Sequence, residues 1–221
     1  MPEPASLFSK VEFLVSAGVT GGLPPEGLPE LAFAGRSNVG KSSAINALAR
    51  RKRLAFVSKT PGRTQTINFF DLGGHARLVD LPGYGYARVP QAVRAQWDQL
   101  VGGYLGARRS LAGVVVLMDA RHPFTAHDEY LLEWLRPVAQ RLLVLLSKAD
   151  KLSRQERTKV LAESRARLVS GAHNVEVRLF SSVSGEGVDE TRSLLEAWLR
   201  AAGDGHKKPP VKGNSTGGET P

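Results

Sequence analysis

Leu31-Ala-Phe-Ala-Gly35-Arg36-Ser37-Asn38-Val39-Gly40-Lys41-Ser42-Ser43 is the stretch that decides the fold. A short apolar run leads straight into a complete G-x-x-x-x-G-K-S loop and then into residues able to open a helix, the strand–loop–helix order of a phosphate-binding P-loop. Gly35 and Gly40 let the backbone close around phosphates, and the N–H groups at the helix start favour negative charge. Lys41 is placed to bridge the β- and γ-phosphates and Ser42 to ligate magnesium, with Arg36, Ser37, Asn38, Val39 and Ser43 completing the cradle.

Outward from this loop, short apolar runs alternate with amphipathic stretches. That order predicts an α/β domain of three layers, a mostly parallel sheet flanked by helices on both faces. Strands are expected at LAFAG, TINFFDL, ARLVDL, GVVVLMDA, RLLVLLS and VEVRLF, and helices after Gly40, near Pro90, after Thr125, after Ser153 and at Val188. An N-terminal extension, residues 1–26, contains a further strand, VEFLVSAGV, before the glycines and prolines of GGLPPEGLPE break it. Residues 27–202 form the domain. Residues 203–221, rich in Gly, Pro, Lys, Ser and Thr, read as a disordered tail.

A P-loop serves ATP and GTP alike, so the base must be read elsewhere. Ser147-Lys148-Ala149-Asp150 follows the apolar run RLLVLLS, at a carboxyl end of the expected sheet where open α/β folds bind ligands. The Asp150 carboxylate can accept from guanine N1–H and the 2-amino group, whereas adenine would leave it unpaired. The aliphatic stem of Lys148 would lie on the base plane. This tetrapeptide resembles the N/T-K-x-D element of GTPases, with serine in the first place. Asp80-Leu81-Pro82-Gly83 closes another strand as a D-x-x-G element, Asp80 to hold magnesium through water and the Gly83 N–H to sense the γ-phosphate. Between the P-loop and Asp80, the loop containing Gly62, Arg63, Thr64, Gln65 and Thr66 offers a hydroxyl to complete magnesium coordination. Thr64 is the first choice, with Thr60 and Thr66 as competitors. Phe180-Ser181-Ser182 resembles the last, weak element of GTPases, in which backbone N–H groups meet guanine O6.

Composition sets the outer bounds. The 221 residues contain no cysteine, which excludes disulfides, thiolate nucleophiles and cysteine-ligated metals. Five histidines are scattered, and His122 and His127, five apart, do not share a helix face. No apolar run is long enough to cross a bilayer, so a cytoplasmic protein without a membrane partner is expected. Thirty basic against twenty-one acidic residues give a net charge of +9, concentrated in the acid-free stretch Arg50 to Arg63. Such a stretch is an electrostatic footprint for a polyanion, or simply a solvated loop.

GRSNVGKSS, TPGRTQT, DLPGYGYA, SKAD and FSS, in that order, resemble the EngB (YihA/YsxC) family of bacterial ribosome-assembly GTPases over roughly residues 8–202. The resemblance implies a GTP-dependent role in maturing the large ribosomal subunit, with its precursor and rRNA as partners, and a link to cell division and septation; a monomer that hydrolyses GTP slowly is expected. Tyr84 stands where the familiar signalling GTPases place the glutamine that orients the attacking water, and its ring cannot do that work. Asn38 resembles the residue that holds K⁺ in potassium-activated GTPases. On that reading Lys41, Asn38, Thr64 and Gly83 carry the catalysis, with Arg63 as an alternative positive charge. Two other readings compete: a nucleotide-gated rRNA scaffold with negligible turnover, and an ATP-using kinase, against which SKAD argues.

Overall fold

The computed structural model describes residues 6–55, 66–85, 91–169 and 175–205. In chain order the elements are β1 (Val11–Ala17), β2 (Glu30–Gly35), α1 (Lys41–Leu48), β3 (Ile67–Leu72), β4 (Arg77–Asp80) and α2 (Gln91–Ala107). There follow β5 (Leu111–Asp119), α3 (Ala126–Leu135), β6 (Leu142–Ser147), α4 (Arg154–Val169), β7 (Val175–Leu179) and α5 (Val188–Gly205). One sheet runs β1-β3-β4-β2-β5-β6-β7. β1, the strand of the N-terminal segment, pairs antiparallel with β3, β3 antiparallel with β4, and all other pairs are parallel.

Period-two alternation sends successive strand residues to opposite faces. Ala32, Ala34, Val114, Val116, Val144 and Leu146 pack with α2 and α3 through Val101, Tyr104, Leu131 and Leu135. Leu31, Phe33, Val115, Leu117, Leu143 and Leu145 pack with α1 and α5 through Ile45, Leu48, Leu195 and Trp198. Helix α5 buries Val188, Thr191, Arg192, Leu195, Trp198 and Leu199, a 3.6-residue stripe. Arg192 within that stripe donates from Nε to the Leu48 carbonyl at 2.8 Å, serving one of the carbonyls that the end of α1 leaves unpaired. Helix α5 also continues to Gly205, past residue 203 where composition alone marks a tail.

The amino end of the sheet is tied by a buried carboxylate. Glu30 accepts from Arg108 at 2.9 and 2.7 Å, from Arg77 at 3.2 Å and from the Tyr104 hydroxyl at 3.0 Å. The same arginines donate to the carbonyls of Pro24 and Pro25, which fixes the Gly/Pro-rich connection between β1 and β2. All of this lies at the end of β2 opposite the P-loop, so the two ends divide bracing from binding.

Candidate functional site

Parallel registry assembles the site. Phe33 pairs with Asp80, Gly35 with Leu117, Asp119 with Ser147 and Leu146 with Leu179, so the carboxyl ends of β2, β4, β5, β6 and β7 reach one edge together. At that edge Gly35 has no room for a side chain: a Cβ would stand 2.8 Å from Val39 Cγ1 and 3.1 Å from the Leu117 carbonyl. Gly40 turns the chain into α1 with φ 103°, and Asn38 adopts φ 63°. Ala44 N–H donates to the Gly40 carbonyl at 2.9 Å, so the first-turn N–H groups of Lys41, Ser42 and Ser43 have no partner further back in the helix. Val39 serves the framework: its side chain is buried beneath the loop and its N–H donates to Arg36 O at 3.2 Å.

The D-x-x-G segment is fastened onto this loop. Leu81 is buried and donates its N–H to Phe33 O at 3.0 Å, and the Pro82 carbonyl accepts from Trp97 Nε1 at 2.9 Å. Ser37 N–H donates to Tyr84 O at 3.0 Å, making a short parallel bridge between Arg36 and Tyr84. Gly83 therefore passes close to the P-loop, where a Cβ would lie 3.3 Å from Ser37 N. Lys41 Nζ and Asp80 Oδ1 form an ion pair between the start of α1 and the end of β4. Ser42, the residue after Lys41, carries a hydroxyl in the first turn of the same helix. These are hard oxygen donors, which is the chemistry magnesium selects, so the residues present fit that ion. Among the described residues no group of three or more His, Asp or Glu offers another metal site.

At the base-reading end, the Ser147 hydroxyl is turned inward, within donating distance of Val39 O at 2.7 Å and Met118 O at 3.0 Å. Serine in this place thus ties β6 to the P-loop. Lys148, with φ 59°, donates from Nζ to Asn38 O at 2.9 Å and to Asp119 Oδ2 at 3.0 Å, while Ala149 is fully buried. Arg121 binds the same Asp119 carboxylate through Nε at 2.9 Å and Nη2 at 2.7 Å. The Arg121 hydrogen bonds, joined by those of Lys148, hold this carboxyl well below the usual range against the upward push of partial burial. Asp150 Oδ1 accepts from Ser181 Oγ at 2.6 Å, and Oδ2 lies 3.3 Å from Lys151 Nζ. The Ser181 bond is the main reason the Asp150 carboxyl sits below its ordinary value.

One expectation needs correction. Phe180 N–H donates to Leu146 O and Ser181 N–H to Glu186 O, both at 2.9 Å, so neither is available to guanine O6. The β6–β7 ladder runs one bond beyond β7 and takes the first, and the turn closing onto Glu186 takes the second. Ser182 N–H has no hydrogen-bond partner among the described residues, and Ser181 contributes through its side chain instead. Thr66, a competitor of Thr64 for magnesium, donates its hydroxyl proton to Asn68 Oδ1 at 3.2 Å, an acceptor shared with Ser16 at the β1–β3 edge, which leaves its oxygen lone pairs free for an ion. Gly62, Arg63, Thr64 and Gln65, with Thr60, lie outside the described residues. Sequence reasoning missed Asp119, Arg121 and Asp128. Thr125-x-x-Asp128 does carry the spacing of a helix cap, but that signal says nothing of Tyr84 or Arg36, both of which Asp128 meets.

The sequence model of a family described as "50S ribosome-binding GTPase" matches residues 30–148, a little over half of the chain. A "Probable GTP-binding protein EngB" of Dechloromonas aromatica is 50% identical over 212 residues, covering 94% of this chain and 96% of that protein. The chain belongs to the EngB family. The relative of that name from Neisseria meningitidis is 49% identical over 199 residues, covering 89% of this chain and 95% of its own. EngB membership makes this a GTP-binding protein with the G domain of a P-loop GTPase. A crystal structure of a probable GTP-binding protein engB has the same fold, with TM-score 0.59 and 23% identity over 78% of this chain and 99% of that one. The fold is also that of Era in complex with MgGDPNP and nucleotides 1506-1542 of 16S ribosomal RNA, with TM-score 0.55 and 18% identity over 80% of this chain and 57% of Era. Among the described residues no helix is long and apolar enough to cross a membrane.

Proposed function

We propose that this chain is a slow GTP-hydrolysing switch whose nucleotide state governs its hold on a precursor of the large ribosomal subunit. The observation that carries the reading is the placement of Arg50, Arg51, Lys52 and Arg53, all exposed, directly after the helix whose other end is the phosphate loop. Helix α1 has eight residues, so about 12 Å of rigid rise separates the phosphates from a polyanion gripping the basic run. The family description, "50S ribosome-binding GTPase", agrees with an RNA-rich partner.

Within the site, Lys41 and the first-turn N–H groups of α1 hold the phosphates, and Gly83 N–H meets the γ-phosphate. Ser42 and Asp80 would hold magnesium, which when bound neutralises charge on the β- and γ-phosphates. Water attacks the γ-phosphorus and GDP leaves with inorganic phosphate. Tyr84 is buried and its hydroxyl donates to Asp128, so this residue does not orient that water. Slow turnover follows, with a potassium ion at Asn38 or the precursor supplying the missing organisation. The inward Tyr84 also favours a second reading, a nucleotide-gated scaffold with negligible turnover.

Co-sedimentation with large-subunit precursors at stepped salt tests the partner. Association should be stronger with a GTP analogue than with GDP, and Arg51→Ala/Lys52→Ala/Arg53→Ala should flatten the salt dependence by about two to three powers of concentration. Absent association rejects the ribosomal reading. Hydrolysis should be faster with precursor and faster in KCl than in NaCl; no acceleration by precursor favours the scaffold.

A further inference from the structure

Asp128 is a fully buried carboxylate beside the phosphate loop, and none of the chemistry above uses it. Its Oδ2 accepts from Thr125 N–H at 2.9 Å and from the Thr125 hydroxyl at 2.7 Å, which closes the cap of α3. Capping needs only that oxygen. The other, Oδ1, accepts from the Tyr84 hydroxyl at 3.0 Å and lies 3.2 Å from Arg36 Nε. Arg36 belongs to the P-loop and Tyr84 directly follows Gly83, so one carboxylate joins the two segments that face the phosphates.

Gly83 is thereby held from both sides. Before it, the Pro82 carbonyl is bound by Trp97 Nε1 at 2.9 Å, and after it, the Tyr84 ring packs edge-on against Trp97 with centroids 6.0 Å apart. Burial first, and then the adjacent Asp128, push the Tyr84 phenol above its ordinary range, so it remains a donor at neutral pH and beyond.

We propose that Asp128 is a positioning residue for γ-phosphate recognition: by gripping Tyr84 and Arg36 together it fixes the Gly83 N–H against the P-loop. This rests on the reading above that Gly83 N–H meets the γ-phosphate. A donor already held in place loses no further freedom when the ligand binds, so the grip raises triphosphate affinity and leaves diphosphate affinity alone. A brace that merely stabilised the fold would affect both nucleotides equally.

The test compares Tyr84→Phe, which keeps the ring against Trp97 and removes only the hydroxyl, with the unaltered full chain. Affinities for a non-hydrolysable GTP analogue and for GDP are read by displacement of fluorescent GDP. Analogue affinity should fall about tenfold while GDP affinity stays within about twofold. Asp128→Asn, which keeps an acceptor for the Thr125 cap but loses the charge facing Arg36, should shift the ratio the same way, with thermal unfolding reporting that it is folded. An unchanged ratio in Tyr84→Phe, or an equal fall for both nucleotides, overturns the proposal. Gly83→Ala separates the two possible failures. If it leaves analogue affinity intact, Gly83 does not read the γ-phosphate and the underlying reading falls too. If it weakens the analogue alone while Tyr84→Phe does not, only the role of Asp128 is lost.

Discussion

Ser181→Ala should weaken guanine-nucleotide binding without touching any atom of the nucleotide. The Ser181 side chain is fully buried, and its hydroxyl does two things. It donates to Asp150 Oδ1 at 2.6 Å, and it accepts from Val183 N–H at 3.2 Å and Ser184 N–H at 3.1 Å. Val183 and Ser184 are exposed, so water can replace the hydroxyl on their N–H groups and the stability cost stays near 1 kcal/mol. The Asp150 carboxylate, released from Ser181, keeps Lys151 and its own backbone N–H and gains rotational freedom that must be given up again on meeting the base. Ordering one such side chain costs about 0.5–1.5 kcal/mol, which corresponds to a loss of roughly two- to tenfold in affinity. Because guanine is common to both nucleotides, GDP and GTP should lose equally. Displacement of fluorescent GDP by GDP, GTP and ATP reads this directly, and thermal unfolding controls for folding. Undiminished GDP affinity would refute the positioning of Asp150 by Ser181, and a loss confined to GTP would show that the effect does not pass through the base.

Other consequences are equally open to measurement. Glu30→Ala strands Arg77 and Arg108 and should cost about 3–5 kcal/mol, lowering the thermal midpoint by roughly 10 °C, with nucleotide affinity in the surviving folded protein unchanged; a loss under about 1 kcal/mol would contradict the buried network. Gly187→Ala should be far more damaging than Gly185→Ala. Both have positive φ, 73° and 82°, but only at Gly187 would a Cβ lie 2.2 Å from a backbone oxygen, that of Leu179; equal midpoints would contradict this. The depressed Asp150 carboxyl is charged above its folded pKa, so its contribution is present at neutral pH and is lost only as pH falls through a value below the ordinary 3.8; Ser181→Ala should move that loss upward. A carboxyl-carbon NMR titration with its midpoint at or above 3.8 in the parent chain would count against the hydrogen bond.

Much of the site was readable because its signals are local. GRSNVGKS, DLPG and SKAD each sit where an apolar strand ends, and parallel pairing alone brings such ends to one edge. The pattern that predicted the strands also predicted their two faces, since Leu31 and Ala32 face opposite ways for the same reason. What could not be read depends on partners distant in sequence. Thr125-x-x-Asp128 shows a cap, but Tyr84, 44 residues away, gives Asp128 its second task. FSS suggested free backbone donors, yet the ladder from β6 takes Phe180 N–H and leaves Ser181 to act through its hydroxyl. Glu30 carries no local signal in the sequence, because the groups that make it a brace, Arg77 of β4 and Arg108 just after α2, are 47 and 78 residues away.

The central claim is that the carboxylate of Asp150 makes this P-loop protein specific for guanine, and one binding experiment addresses it. Labelled GDP on the unaltered chain should be displaced by GTP and not by ATP. Asp150→Asn should lose roughly ten- to a hundredfold in GTP affinity, as expected for a charged hydrogen bond, and should gain affinity for xanthosine triphosphate, whose 2-carbonyl can accept from the new amide. Equal displacement by ATP in the unaltered chain, or undiminished GTP binding in Asp150→Asn, would contradict the account.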